Sequence, residues 1–523
     1  MKPPNGARNM PRGLSLIILG LIVCTLGLIV CGFQGCGGGS SAPPPSTSTT
    51  PTAVTAPAFP LVASGNKRYL QDQNGVPFPI LGRTAWFITS LSEADYKLFI
   101  DDTVAKGYNA IEFHVVNHDA RGNQPPFGAN GTLLPFAKQL NGSAWGGSLL
   151  YMVDINLEAP DFSLPNEAYW KHVDALLAYA ESKGVLCFMF PAYAGYGGGG
   201  QGWMQEMVAN RPSRMQDYGA FITNRYKTRG NIVWMLGGDY GPFKLPGELP
   251  VEQAMLAGMQ SVTGQSSTRF SAEWTGPSIY TDIGDTTLVE AGTLQGAYSW
   301  EGDVNTYARN GYNYSIRVMP TFLLEEPYDQ EGSDGNGVNS NATQPVRRFQ
   351  WWGWLSGIGG YISGNGCVWP FNSSSLLFPL PCSDGWQAHL NTPGAKDMAR
   401  LNAFIKSIAW FKLVPSGLGD LGGKGPLVIN NTSPSSPDYV AAAATPDGTL
   451  LVAYVPPDHL GSITVDMTLM SGSVQARWFD PTTAEYTSAV GSPVSGTQMQ
   501  EFTPPSGSRA ADVDDWVLLL EKQ

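Results

Sequence analysis

Little of this 523-residue chain is charged: Asp, Glu, Lys and Arg make up 14% of it, with 43 acids against 31 bases. The formal charge is −12, and setting aside Lys2, Arg8 and Arg12 of the N-terminal region leaves about −15 (−12 minus 3). A balance of that sign argues against nucleic acid or an anionic membrane surface as partner. There are only six cysteines, none in a CxxC spacing, which excludes the usual zinc frameworks. No GxSxG elbow is present, which disfavours an α/β-hydrolase esterase. No GxGxxG follows the first strand-like run, which disfavours a dinucleotide fold. Neither a cofactor nor a metal is expected.

What the chain does hold is aromatic: 11% Phe, Trp and Tyr, including 15 tryptophans. Many must lie in the core. A Trp- and Tyr-rich, Lys-poor composition is also common among carbohydrate-active proteins, whose aromatic faces stack on sugar rings. At the N-terminus, basic residues precede the apolar run 14–33, and a Gly/Ser/Pro/Thr tract follows, the order of a secretory segment. Gly35-Cys36 resembles a lipoprotein cleavage site with Cys36 as the acylated residue. The other reading is an uncleaved anchor, since about 20 apolar residues span a bilayer. Either way the protein is expected to be exported and membrane-tethered in a bacterial cell envelope. Residues 37–60 read as a disordered linker.

Beyond the linker, RYLQDQNGVPFPILG reads as a hairpin turning at Asn74-Gly75. Apolar strands then alternate with amphipathic helical stretches. Tyr169, Val173, Leu176, Leu177 and Ala180 recur at helical spacing. Strand candidates are PFPILG, YNAIEFHVV, GVLCFMF, NIVWMLGG, TRFSAEW, TTLVEAG, VMPTFLLEE and GGYISGNGCVW. That alternation predicts an α/β class with a (β/α)8 TIM barrel over residues 61–424. From residue 425 to 523, short strands separated by Gly/Pro/Asp turns predict a small β-sandwich. Cys187 sits in an apolar run and reads as a buried hydrophobe. Cys367 and Cys382 flank one loop and are candidates for a disulfide if the protein is exported.

The sharpest signal is NIVWMLGGDYG, where a buried strand ends on two glycines and Asp239. A charge there is costly unless it is paired or used, and ligands of parallel α/β proteins sit at the carboxyl ends of strands. Glycosidic hydrolysis needs two carboxyl groups, one to protonate the leaving oxygen and one to attack or activate water. MPTFLLEEPYD supplies the second at strand seven, as Glu325 or its neighbour Glu326, which point to opposite faces of a regular strand. Glu273, Glu290 and Asp119 read as structural or substrate-contacting. His114 and His118 lie on a strand-to-loop segment, where an i, i+4 spacing does not make a metal pair. They read as hydrogen-bonding groups or sugar contacts. Trp86, Tyr193, Tyr196, Trp203, Trp274 and Trp369 are the candidate sugar platform, with His118, Tyr328 and Asn365 as further substrate contacts. The glycine run after Tyr196 reads as a loop over the site.

Over residues 65–521 the chain resembles the apiosidase-like glycoside hydrolases. The carriers are LGRTAW, AKGYNAIEF, PNEAYWKHVD, PAYAGYGGGGQGW, NRYKTRGNIVWMLGGD, PTFLLEEPYD, GNGCVWPF and WFDP. The resemblance implies a (β/α)8 catalytic domain followed by a small β-domain labelled "collagen-binding". It also implies an acid/base at Asp239 and, by the spacing of Pro320, Glu325, Tyr328 and Asp329, a nucleophile at Glu325. Glu326 matches only a Glu-Pro step found in some relatives. Two departures stand out. Arg83 replaces the usual Asp of LGRTAW, which points to an altered pocket near strand one, and SAEWTGPS replaces a His-containing segment on strand five. The expectation is a retaining glycoside hydrolase acting on plant or microbial polysaccharide side chains. The alternative is a non-catalytic surface protein binding glycan or a matrix protein through its β-domain.

Overall fold

A computed structural model describes residues 56–118, 133–147, 152–195, 201–300, 303–330, 343–371, 384–418, 421, 425–429, 431–496, 498–505 and 514–523. The predicted anchor, Cys36, Asp119, Tyr196 and Cys382 lie outside them. Among the described residues no helix is long and apolar enough to cross a membrane. Residues 57–60, assigned to the linker by composition, are docked: Ala58 N donates to Asp72 Oδ2 (3.1 Å) and Phe59 packs on Phe78.

Eight parallel strands form most of a curled nine-stranded sheet. In chain order they are Ile80–Thr84, Ala110–His114, Leu186–Phe190, Ile232–Gly237, Phe270–Glu273, Gln295–Tyr298, Thr321–Glu325 and Gly360–Ser363, called strands one to eight below. Strand one pairs with strand eight, which carries the sheet round towards closure. The ladder is open between strands five and six, where Thr293 N (2.8 Å) and Leu294 N (3.2 Å) both donate to Phe270 O. The arrangement is a barrel-like curl with one loosened seam rather than a fully laddered barrel.

Seven of the strands fall where apolar runs predict them. The sixth does not. TTLVEAG is the helix Thr286–Ala291, because Asp285 caps it by accepting from Leu288 N (3.0 Å). Strand six is the next segment, Gln295–Tyr298, and Glu290 is exposed on the helix instead of sitting at a strand end. The helix Glu167–Ser182 buries Tyr169, Trp170, Val173, Leu176, Leu177 and Ala180, the face its periodicity marks.

C-terminal to the curled sheet, a seven-stranded and a three-stranded antiparallel sheet stack on each other. The large sheet is apolar on both faces. Ala442, Leu451, Ala453, Leu518 and Leu520 face the small sheet. Ala441, Val452, Tyr454, Val517 and Leu519 face Trp351, Trp352 and Phe404 on helices Thr343–Leu355 and Pro393–Ser407. Burying each side chain of Val or Leu size contributes about 1.5–3 kcal/mol, so detaching the β-region would expose a second hydrophobic core.

Candidate active site

The turn after strand four is gripped from several sides. Gly237, Gly238 and Asp239 have φ of 69°, 105° and 47°. A Cβ on Gly237 would lie 2.5 Å from Glu273 O, and one on Gly238 would lie 2.4 Å from the Tyr193 ring. Only glycine fits both positions. Asp is among the few other residues that tolerate the left-handed region. Ala194 N donates to Gly237 O (2.8 Å), Gly195 N to Gly238 O (2.9 Å) and Gly238 N to Glu273 O (2.8 Å). Beneath the turn, Glu252 Oε1 accepts from Gly237 N (3.0 Å), and burial pushes the Glu252 carboxyl up to about 7. The strain at Asp239 is thus held by its surroundings, the situation in which such strain aims a functional group.

Strand seven delivers the second carboxylate. Glu325 Oε1 accepts from Tyr328 OH, which accepts from Trp86 Nε1 at 3.0 Å. Glu326 turns the other way, towards helix Thr343–Leu355, where Gln350 Nε2 donates to it. This geometry sets Glu325, not Glu326, on the side of Asp239. The register between strands six and seven slips after Ala297, bringing Tyr298 opposite Glu325. A slip of this kind re-aims a side chain, and Tyr298 OH hydrogen-bonds Asp239. Burial and then the Glu325 charge push the Asp239 carboxyl up to about 8, against the pull of the Gly276 N–H and the Tyr298 hydroxyl. One carboxyl that keeps its proton near neutrality beside a second carboxyl is the electrostatic signature of an acid and nucleophile pair.

Two further carboxyls lie below this pair. Glu112 on strand two and Glu273 on strand five are both 0% exposed. Burial, then Glu325, pushes each well above the usual carboxylate range, and Glu326 adds to this at Glu112. Reading the sequence left Glu112 out and set Glu273 among lesser residues. A glutamate inside the apolar run AIEFH was the available signal for Glu112. Tyr298 was missed because strand six was placed one segment early.

The predicted sugar contacts divide. Trp86, Tyr193 and His114 stack together beside the pair, with Tyr193 4.0 Å from the His114 ring and 5.7 Å from Trp86. Tyr328 joins them through Trp86. Trp369 packs against Phe87 at the end of strand eight. Trp274 lies under Gly237 with its Nε1 donating to Tyr280 O (2.7 Å), so it supports the turn. Trp203 is 0% exposed and donates to Val116 O (3.1 Å). This is a core position, not a stacking platform. His118 sits edge-on to Trp203 and meets Glu206 Oε1 at 3.2 Å, in the same buried cluster. Asn365 spends its amide on Asp329 Oδ2 (2.9 Å) and Cys367 N (2.9 Å), clamping the loops after strands seven and eight. Arg83 points outward into helix Glu93–Ala105, bonding Thr103 Oγ1, Phe99 O and Asp102 at 2.9 Å each. There it lines a cavity beside strand one together with Tyr108, Asp329, Ser363 and Asn365. Cys187 is a buried free thiol, and Cys367 is disulfide-bonded. Among the described residues no group of three or more His, Cys, Asp or Glu is arranged to hold a metal.

Fold and site together define a glycoside-hydrolase-like α/β protein, and the comparisons agree. Residues 64–412 match the family described as "Apiosidase-like, catalytic domain". Residues 426–521 match "Putative collagen-binding domain of a collagenase". The chain belongs to the apiosidase-like family. Among solved structures, one described as a glycoside hydrolase superposes with a TM-score of 0.67 at 18% identity, covering 89% of this chain and 98% of that one. A glycoside hydrolase family 5 protein from Bacteroides vulgatus gives 0.65 at 19% identity, covering 88% and 93%. At such identities the likeness is one of fold. No curated protein matches the chain.

Proposed function

We propose that the protein is a retaining glycoside hydrolase that removes terminal sugars from side chains of plant or microbial polysaccharides. Asp239 gives its proton to the leaving oxygen while a Glu325 oxygen bonds the anomeric carbon and the glycosidic C–O bond breaks. Water then attacks that carbon, Asp239 takes its proton, and Glu325 departs as a carboxylate. The observation that carries this reading is the pair itself: Asp239 is held protonated to about pH 8 by burial and by Glu325. The Trp86–His114–Tyr193 stack beside it supports a sugar ring as the ligand. Export, with tethering through residues 1–36, is supported by the order of basic, apolar and small residues and by the disulfide at Cys367.

The test is monosaccharide release from a panel of pectic and arabinan-type oligosaccharides, with the anomer of the fresh product read by NMR. Asp239→Asn is expected to lower kcat by about 10²–10⁴-fold, and Glu325→Gln at least as far. Release by both variants equal to wild type, or an inverted product anomer, would overturn the assignment.

A further inference from the structure

We propose that Glu273 is a protonated positioning residue whose carboxyl hydroxyl donates to the Glu325 carboxylate and holds it, singly charged, towards Asp239. The inference rests on the reading of Glu325 as nucleophile. Glu273 closes strand five, in register with Gly237 of the Asp239 turn. Its side chain lies in hydrogen-bonding contact with that of Glu325. Neither Glu273 oxygen meets an N–H or O–H donor among the described residues, and the side chain is 0% exposed. Two ionised carboxylates offer acceptors only, so a hydrogen bond between them requires a proton. Its place follows from the other partners. Glu325 accepts from Tyr328 OH, which favours its charged form, whereas Glu273 has no such donor.

The groups that face Glu273 agree. Glu325 on strand seven, Glu112 on strand two and Asp239 after strand four are all acids that raise its affinity for a proton. Tyr298 on strand six, itself held neutral by burial and by Glu325, Asp239 and Glu273, adds no positive charge. The consequence lies in the second half of the reaction. Glu325 is neutral while esterified in the glycosyl-enzyme and regains its charge as it leaves. A fixed neutral donor therefore stabilises the departing carboxylate more than the ester.

Three variants separate the roles. Glu273→Ala and Glu273→Leu are expected to lower kcat on whichever panel oligosaccharide wild type cleaves by about 10²-fold, the cost of removing one preorganised donor, with KM little changed. Glu273→Gln keeps an N–H donor and is expected to stay close to wild type. Leucine performing as well as glutamine would reduce the residue to packing. Glutamine as inactive as alanine would mean that an ionised or proton-transferring Glu273 is required. Either result overturns the proposal.

Two measurements need no substrate. The infrared spectrum of wild type minus Glu273→Gln at pH 7 should contain a protonated-carboxyl C=O band, and its absence overturns the proposal. A carboxyl whose folded pKa is raised contributes stability below its unfolded value, about 4.3, and loses it as pH rises. The melting temperature of Glu273→Gln should therefore gain on wild type from about pH 4.3 upward, and a pH-independent gap counts against the proposal. If wild type cleaves nothing on the panel, the functional reading falls while these two measurements still decide on Glu273.

Discussion

Two groups of buried carboxyls in this protein meet opposite surroundings. Glu112, inside strand two, and Glu273, at the end of strand five, form an acid layer in which burial and neighbouring acids act together to favour the protonated form. Asp397 and Asp515, also buried, close on Arg347, which is 0% exposed and bonds Asp515 through Nε (2.8 Å) and Nη2 (2.6 Å) and Asp397 through Nη1 (2.5 Å). Tyr454 OH adds a donor to Asp515 at 2.9 Å. Desolvation taxes both groups alike, and the responses differ. Burial works to lower the Arg347 pKa, but the Asp515 charge and bond hold it above the usual value, so a guanidinium cancels the charge. In the acid layer, protons cancel it. The first answer yields a lock, since Arg347 is on helix Thr343–Leu355 and Asp515 precedes the last strand of the large antiparallel sheet. The second yields neutral carboxyls that can donate a hydrogen bond.

The strongest way to break this comparison is to remove the guanidinium. Arg347→Met leaves Asp515 and Asp397 buried without their countercharge, and is expected to cost about 3–5 kcal/mol in urea unfolding. A cost below about 1 kcal/mol would mean that the two carboxyls protonate as readily as those of the acid layer. The contrast between lock and site would then collapse.

The same contrast explains what was legible in the sequence. Asp239 could be read because an apolar strand, two glycines and one acid stand in a row, and the glycines answer to Tyr193 and Glu273 O pressing on the turn. Alternation tells that Glu325 and Glu326 face opposite ways. Which one faces the site depends on Gln350, on a helix behind strand seven. Strand six was hidden because TTLVEA is apolar enough for a strand, and only the Asp285 cap makes it a helix. Trp203 and His118 looked like site residues by position, yet burial in one aromatic cluster decides their place. Arg347 and Asp515 stand 168 residues apart, and no local pattern links them.

A smaller effect sharpens the acid side. Because the acid of the proposed reaction works only while protonated, kcat/KM is expected to fall as pH rises through about 8, where the Asp239 carboxyl loses its proton. Tyr298 OH pulls that pKa down by bonding the charged form. Tyr298→Phe should move the alkaline limb upward by about one unit, the worth of one hydrogen bond to a charged group. A limb that stays in place or moves down would show that Tyr298 serves Glu325 rather than Asp239.

The smallest effect tests the lock from its outer edge. Asp397 has two arginine partners: Arg347, fully buried, and Arg400 one turn along helix Pro393–Ser407, at 2.6 Å with its side chain 30% exposed. Burial raises the Asp397 carboxyl above its usual value despite both, Arg347 being the stronger counterweight. If desolvation decides the worth of a pair, Arg400→Ala should cost only about 0–1 kcal/mol, because water replaces the lost partner. That loss should shrink further at high salt, while the Arg347→Met loss, shielded from ions, should not. Comparable losses for the two variants on the same carboxylate would mean that proximity, and not burial, sets the strength of this cluster.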